Sequence, residues 1–281
     1  MITRFAPSPT GPLHLGHAFS ALCAFDMVQA AGGTFLLRIE DIDQSRAKPE
    51  WEQQIYDDLA WLGLSWPLPV LRQSDNLATY KDGLNRLADL GLLYPCSCTR
   101  QDIKQAASAP QEGAPMFGPD GLIYPGTCRG REFSERKEND ALRLDMTKTV
   151  TFLEQGELVY YETGGGTRQE IRLDTARLPE TVGDIVLARR DMGTSYHLSV
   201  VLDDAAQEIT HVVRGADLAE ATQIHVLLQH LLGLPTPEYH HHRLIRDDAG
   251  KRLAKRDDAR AIAKYRAEGA TPADIRTMVG L

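Results

Sequence analysis

The sequence predicts an α/β fold, a doubly wound Rossmann-type parallel sheet split by an insertion, on three observations. The chain opens as strand, loop, helix, strand; strand and helix alternate again from about residue 183; and between these stretches the pattern shifts to short alternating segments among Gly and Pro clusters.

Thr3 to Ala6 reads as the first strand, Pro7-Ser8-Pro9-Thr10-Gly11-Pro12 as a loop, and the Ala- and Leu-rich run toward Gln29 as a helix that Gly32-Gly33 stops. Thr34 to Ile39 is a β-branched and aromatic run that suits a buried strand. Trp51, Ile55, Leu59 and Leu62 recur at helical spacing and predict an amphipathic helix over Pro49 to Leu62, and Leu77, Tyr80, Leu84, Leu87 and Leu90 mark another. From Cys96 to about Val182, segments such as Ala141 to Met146 and Leu158 to Tyr161 predict a mostly β or irregular insertion. Ile185 to Leu187, a helix from Tyr196, Ile209 to Arg214 and a helix from Ala219 to Leu232 complete the sheet. Two short helices close the chain, one around Ile262 to Tyr265 and one from Ala273 to Val279, with Thr271 as cap and Pro272 as first residue. The expected plan is a Rossmann-type domain from residues 1–94 and 183–256, an insertion at 95–182 and a helical segment at 257–281.

Composition supports a soluble globular chain: of 281 residues, 42% are hydrophobic and 25% charged. A formal net charge of −8 argues against a general nucleic-acid coat protein, which needs many phosphate-neutralising cations. A local basic run, Arg243, Arg246, Lys251, Arg252, Lys255 and Arg256, is interleaved with Asp247, Asp248, Asp257 and Asp258, and alone it would read as a solvated loop. The N-terminus has no basic region followed by an apolar run, and no apolar segment is long enough to span a bilayer. A cytoplasmic protein with no membrane partner is expected, its four cysteines reduced and therefore ligands or buried thiols rather than disulfides.

His14-Leu15-Gly16-His17 falls where strand and loop pass into a helix, so its two imidazoles sit three residues apart at the positive end. Helix-start N–H groups and imidazole donors suit ATP phosphates, and Gly16 allows close approach to the backbone. For a bare His-x-x-His, a pair of capping or surface histidines is the more frequent meaning. Context decides. The string Arg4-Phe5-Ala6-Pro7-Ser8-Pro9-Thr10-Gly11-Pro12-Leu13-His14-Leu15-Gly16-His17 closely resembles the opening of glutamyl-tRNA synthetases, whose tetrapeptide is the HIGH motif. Downstream, Lys251-Arg252-Leu253-Ala254-Lys255-Arg256 resembles their KMSKS loop, with Arg252 in place of the usual first lysine and Ala254 in place of serine. The resemblance implies a class I aminoacyl-tRNA synthetase catalytic domain that activates glutamate with ATP and Mg2+, with His14, His17 and Lys255 catalytic and His14, Gly16, His17 and Lys255 binding ATP. Lys255 would present an ammonium to the departing pyrophosphate.

Activation leaves the substrate's α-carboxylate free to attack, so recognition falls on the ammonium and the side chain. For glutamate this calls for a protein carboxylate and an arginine forking onto the side-chain carboxylate. Matched residue by residue, the resemblance implies L-glutamate contacts at Arg4, Ser8, Glu40, Tyr196 and Arg214; Ile42 stands where the family usually has threonine. Taken singly, each has a plain alternative: Arg4 pairing with Glu40, Tyr196 as a core ring, Arg214 as a bridge between elements.

Cys96-Ser97-Cys98, with Cys128 and Tyr124, supplies a four-ligand set in a loop-rich segment; on residue types alone, zinc binding and simple burial stand level. Cys23 reads as core, and His240-His241-His242 as a strand approach rather than a metal tract. The Cys-x-Cys and Tyr-x-x-x-Cys pairing resembles that of glutamyl-queuosine tRNA(Asp) synthetases, shortened relatives of the glutamate enzyme, although residues 101–119 make a longer connection than theirs. That resemblance implies one structural Zn2+. Only 25 residues follow Arg256, too few for an anticodon-binding domain. The expectation is a monomer that activates glutamate without tRNA and transfers it to the queuosine base of tRNA(Asp). A reduced glutamyl-tRNA synthetase charging a tRNA 3′ end and a non-catalytic tRNA-binding relative are the alternatives; a different adenylate-forming nucleotidyltransferase is disfavoured by Arg4, Glu40 and Arg214.

Overall fold

The computed structural model describes residues 1–107, 117–153, 157–246 and 260–281. Strand β1 (Ile2–Phe5) leads through helix α1 (Leu15–Ala30) to β2 (Thr34–Ile39), its parallel neighbour, with Ile2 facing Thr34 and Phe5 facing Leu37. The turn after α1 needs both glycines. Gly32 takes φ +61°, and a Cβ on Gly33 would lie 2.2 Å from the Met1 carbonyl oxygen. Helix α2 (Pro49–Trp61) starts on its proline and crosses to β3 (Leu71–Arg72), parallel to β2. A 3-10 turn and α3 (Leu77–Asp89) follow.

The chain then runs through β4 (Leu93–Cys96), α4 (Arg100–Ala107), the small hairpin β5 (Phe117–Gly118) and β6 (Gly121–Leu122), β7 (Ala141–Leu144) and α5 (Met146–Phe152). Next come β8 (Val159–Glu162), β9 (Gln169–Arg172), α6 (Leu178–Thr181) and β10 (Val186–Ala188). Helix α7 (Tyr196–Ala206), β11 (His211–Gly215), α8 (Thr222–Leu231) and β12 (Glu238–His242) precede α9 (Ile262–Ala267) and α10 (Pro272–Val279).

Strands β11 and β12 pair in parallel over their whole length, β12 meets β8 in parallel at Tyr239 and Glu162, and β8 pairs antiparallel with β9. Thr210 joins this sheet to the first: its N–H donates to the Ile2 carbonyl at 3.0 Å, and its hydroxyl accepts from the Ile2 N–H at 2.8 Å. The parallel α/β plan is therefore present, with strand ends from both halves of the chain beside one another. His240-His241-His242 is strand, as its flanks predict.

Residues 95–182 contain helical turns as well as strands, which the alternation did not announce. Helix α5 begins because Asp145 accepts from the Lys148 N–H at 2.9 Å, and it is held by burial of Met146 and Thr149 rather than by its Thr- and Val-rich sequence. This stretch packs with the rest of the chain. Strand β7 lies between β4 and β10, and Leu142, Leu144 and Leu158 share one core with Leu84, Leu198, Leu228 and Tyr239. A second core gathers α1, β2 and α2 with Ile275 and Val279 of α10. The cap on α10 is the expected one: Thr271 Oγ1 accepts from the Asp274 N–H, and Asp274 answers by accepting from the Thr271 N–H. Among the described residues, no helix is long and apolar enough to cross a membrane.

Candidate active site

A cavity of about 520 Å³ opens where the parallel strands β1, β2 and β11 end, the place where sheets of this kind receive ligands. Arg4 comes from β1, Glu40 follows β2 directly, Arg214 lies near the end of β11, and Ser8, His17 and Tyr196 complete this part of the wall. All five residues matched to glutamate contacts, from four separated stretches of sequence, thus face one space.

The two signature histidines cap α1 reciprocally. His14 Nδ1 accepts from the Gly16 N–H at 3.1 Å, and His17 Nδ1 accepts from the His14 N–H at 3.2 Å, with ring centroids 3.8 Å apart. A neutral ring that accepts at Nδ1 carries its proton on Nε2, so capping fixes both rings as Nε2–H donors. His17 is among the residues that line the cavity, and His14 beside it is buried. Gly16 does not line the cavity. A Cβ there would stand 3.0 Å from His14 Cε1, so the glycine makes room for the capping ring.

Below the wall lies a buried charge network that sequence reasoning missed. Arg4 does not pair with Glu40; it forks onto Asp204 of α7, Nε to Oδ1 at 3.0 Å and Nη2 to Oδ2 at 3.3 Å. Arg38, 0% exposed, reaches Asp204 at 2.7 Å, Glu40 at 3.3 Å and Asp203 at 3.9 Å. Asp203 in turn accepts from Gln73, Asn76 and Tyr80. Burial pushes the Asp204 carboxyl up, but the guanidinium groups of Arg4 and Arg38 outweigh it and hold Asp204 below the ordinary aspartate range. Burial likewise raises Glu40, and there Arg38 and Arg4 offset only part of the rise. Glu40 therefore stands on the cavity wall as a carboxyl short of positive partners, a place for an ammonium.

Arg214 is held differently. Its Nε–H donates to His241 Nε2 at 3.1 Å, Nη1–H to His225 Nδ1 at 2.9 Å, and Nη2 donates to the Thr222 hydroxyl at 2.8 Å and the Leu218 carbonyl at 3.2 Å. No carboxylate pairs with it among the described residues. Four of its five N–H groups are committed, so a two-pronged fork onto a ligand is not what the geometry offers; one Nη1–H and an unneutralised charge remain. Burial lowers His225 and His241, with Arg214 adding to the effect, which keeps both imidazoles neutral and able to accept.

At one end of β4 a thiol cluster forms. The Sγ atoms of Cys96, Cys98 and Cys128 lie within 4.8 Å of one another, and Tyr124 Oη stands 3.4 Å from Cys96 Sγ and 3.3 Å from Cys98 Sγ. Tyr124 also accepts the Cys128 N–H at 2.8 Å, and the Arg143 guanidinium lies 3.9 Å above its ring. Burial pushes the Cys128 thiol up, but hydrogen bonds from Tyr124 and the Ser97 backbone outweigh it and bring it down to about 6. Three soft sulfurs and one phenol oxygen converging in this way suit a four-coordinate soft ion. Cys23, half-buried on α1, is apart from them.

Lys255, with Arg252 and Ala254, lies outside the described residues. The chain that follows them returns to the first signature: Ala261 forms a β-bridge with His14, and the Ile262 N–H donates to the Leu13 carbonyl at 2.9 Å. Arg46 and Arg189 are further cavity-lining cations that the sequence did not single out. Arg38 did leave a signal, since a charged residue two places before Glu40 on a buried strand shares its face. His225 and Glu162 left none, being ordinary members of a helix and a strand until β12 is placed between them.

Set beside known proteins, residues 1–281 match the model of the catalytic domain of tRNA synthetases class I (E and Q). The chain is 65% identical over 286 residues to a Rhodobacter capsulatus protein named glutamyl-Q tRNA(Asp) synthetase, with all of both chains covered. It is 40% identical to a protein of the same name from Symbiobacterium thermophilum, over 99% of this chain and 84% of that one. Among solved structures, a glutamate tRNA ligase from Elizabethkingia meningosepticum in complex with its amino acid aligns with a TM-score of 0.75 and 27% identity. A glutamate-tRNA synthetase from Elizabethkingia anophelis aligns with a TM-score of 0.76 and 26% identity. Both alignments cover 99% of this chain but 60% and 61% of those longer proteins.

Proposed function

Because the chain belongs to the class I glutamyl and glutaminyl tRNA synthetase family, we propose that it activates L-glutamate with ATP in the absence of tRNA and transfers the glutamyl group to the queuosine base of tRNA(Asp). The observation that carries the amino-acid choice is a single cavity walled by an under-compensated carboxyl, Glu40, and by Arg214, an arginine with no carboxylate partner among the described residues. Glu40 takes the ammonium, Arg214 the side-chain carboxylate, and Arg4, Ser8 and Tyr196 shape the space between. End-to-end identity of 65% to a protein named for the queuosine acceptor supports tRNA(Asp) as the partner.

In the first step the glutamate α-carboxylate oxygen attacks the α-phosphorus of Mg2+-bound ATP, the bond to the bridging oxygen breaks, and pyrophosphate leaves with its charge. His14 and His17, fixed as Nε2–H donors, follow charge building on the phosphate oxygens, and Lys255 presents its ammonium to the pyrophosphate. In the second step a hydroxyl of the queuosine cyclopentenediol attacks the activated carbonyl and AMP departs. Return of the chain from residue 260 onto Leu13 and His14 supports a meeting of the two signatures at one triphosphate. Cys96, Cys98, Cys128 and Tyr124 would hold one Zn2+, which supplies no step and ties β4 to the loop after β6. The doubly wound catalytic domain built from residues 1–94 and 183–256, the zinc-bearing insertion at 95–182, and a monomer acting in the cytoplasm complete the proposal.

Glutamate-dependent ATP–pyrophosphate exchange without tRNA tests the first step, and silence there with metal-loaded protein would defeat the reading. Labelled glutamate should then appear on queuosine-containing tRNA(Asp) and not on tRNA(Asp) lacking the base; equal labelling of tRNA(Glu) would reassign the acceptor to a tRNA 3′ end. Metal analysis should find one zinc per chain, lost in Cys128→Ser.

A further inference from the structure

Arginine has only donors, so each group it touches must accept. His241 Nε2 accepts from Arg214 Nε–H at 3.1 Å and lies 3.2 Å from the Thr222 hydroxyl, a second donor. His241 must then carry its proton on Nδ1, and that nitrogen faces Glu162 Oε2. The other oxygen of Glu162 is spoken for: Oε1 accepts the backbone N–H of Gly164 at 2.7 Å and of His241 at 3.0 Å. A second chain starts at the same guanidinium. His225 Nδ1 accepts from Arg214, so its Nε2–H faces His197 Nδ1 at 3.1 Å, and His197 Nε2–H faces Asp120 Oδ1 at 3.3 Å. Among the described residues, no carboxylate pairs directly with Arg214, and Glu162 and Asp120 reach it only through intervening rings.

We propose that Glu162, on strand β8, is a specificity-determining positioning residue: through the tautomer it imposes on His241 it holds Arg214 oriented and unneutralised for an acidic substrate side chain. The proposal rests on the reading that Arg214 meets the glutamate side-chain carboxylate. Glu162 is not among the residues that line the cavity. Its effect passes through one imidazole whose two nitrogens have opposite roles, and that makes the identity of its two oxygens decisive. In Glu162→Gln the position serving two backbone N–H groups must remain the oxygen, so the amide NH2 is turned toward His241 Nδ1. His241 must then move its proton to Nε2, and Nε2–H confronts Arg214 Nε–H, donor against donor.

The test compares Glu162→Gln, Arg214→Ala and the parent in pyrophosphate exchange, and reads the imidazole tautomers of the full chain by two-bond 1H–15N NMR. The parent should show His241 with its proton on Nδ1, and Glu162→Gln should show it on Nε2. Glu162→Gln should raise the KM for glutamate about tenfold or more, the effect of losing one well-placed hydrogen bond to a charged group, with a much smaller change in kcat and in the KM for ATP. It should also lose part of the preference for glutamate over glutamine. A parent spectrum with the His241 proton on Nε2 overturns the relay even if the variant fails to fold. A folded Glu162→Gln with unchanged glutamate KM overturns it too. If instead Arg214→Ala leaves the glutamate KM unchanged, the assignment of Arg214 fails, whatever the tautomers show.

Discussion

Arg38 and Arg214 are both buried on strands of the parallel framework, 0% and 5% exposed, yet they are held in opposite ways. Arg38 sits among three carboxylates, Asp203, Asp204 and Glu40, and its charge is answered on the spot. Arg214 has two neutral imidazoles, a hydroxyl and a carbonyl around it, and its charge is left standing at the wall of a cavity. A buried cation with direct partners binds elements together, whereas one given only neutral acceptors is available to an anion from outside. The sheet thus keeps structural and cavity-facing charge apart with the same residue type.

The comparison breaks most visibly at Arg38. Arg38→Met removes the shared partner of two buried carboxylates, Asp203 and Asp204, and of Glu40 at the cavity wall, and losing one side of such a network costs about 3–5 kcal/mol. Urea unfolding of the variant should show a correspondingly lower midpoint at pH 7; a midpoint equal to the parent's would mean the network does not organise the fold. Arg214→Ala should behave in the reverse sense. Its unfolding midpoint should fall less than that of Arg38→Met, because no carboxylate is orphaned, while kcat/KM for glutamate drops about a hundredfold, equivalent to about 2.7 kcal/mol of transition-state stabilisation. Equal loss of exchange activity with every amino acid tried would sink the distinction.

What the sequence disclosed follows the range of the physics involved. Thr34–Ile39 is found to the residue because its signal is local, a β-branched and aromatic run after a Gly-Gly stop. The glutamate set was legible only through resemblance, yet Arg4, Ser8, Glu40, Tyr196 and Arg214 do line one cavity. Its internal logic was not legible. Asp204 stands 200 residues from Arg4, and nothing in the composition of a largely apolar helix tells which buried arginine an Asp-Asp pair will meet. The helices α4 and α5 were missed for a related reason: eight and seven residues are too few for periodicity to show, and α5 is settled by burial of Met146 and Thr149, while α4 buries no residue at all. Lys255, the residue on which the second signature depends, lies where the structure says nothing of it.

Asp58 sharpens the comparison at the small end. It lies on α2, 0% exposed, and among the described residues neither carboxylate oxygen accepts a hydrogen bond; the closest cation is Arg266 of α9, with Nη2 at 3.5 Å. The Asp58 charge is only partly compensated, and unlike Arg214 the residue does not line the cavity. Burial raises its pKa to about 6, with Asp57 adding and Arg266 offsetting part of the rise. A carboxyl whose folded pKa exceeds its unfolded value binds its proton more readily in the folded state, so its contribution improves as pH falls from about 7 through 6 toward 4 and is lost on the way back up. Asp58→Asn removes the charge but keeps a buried amide that must find partners, so the net gain at pH 8 should be about 1 kcal/mol. Unfolding midpoints of parent and variant measured from pH 5 to 8 should diverge as pH rises. Parallel curves would show that Asp58 titrates normally, and that a weakly paired buried charge outside the cavity is tolerated as readily as the one inside it.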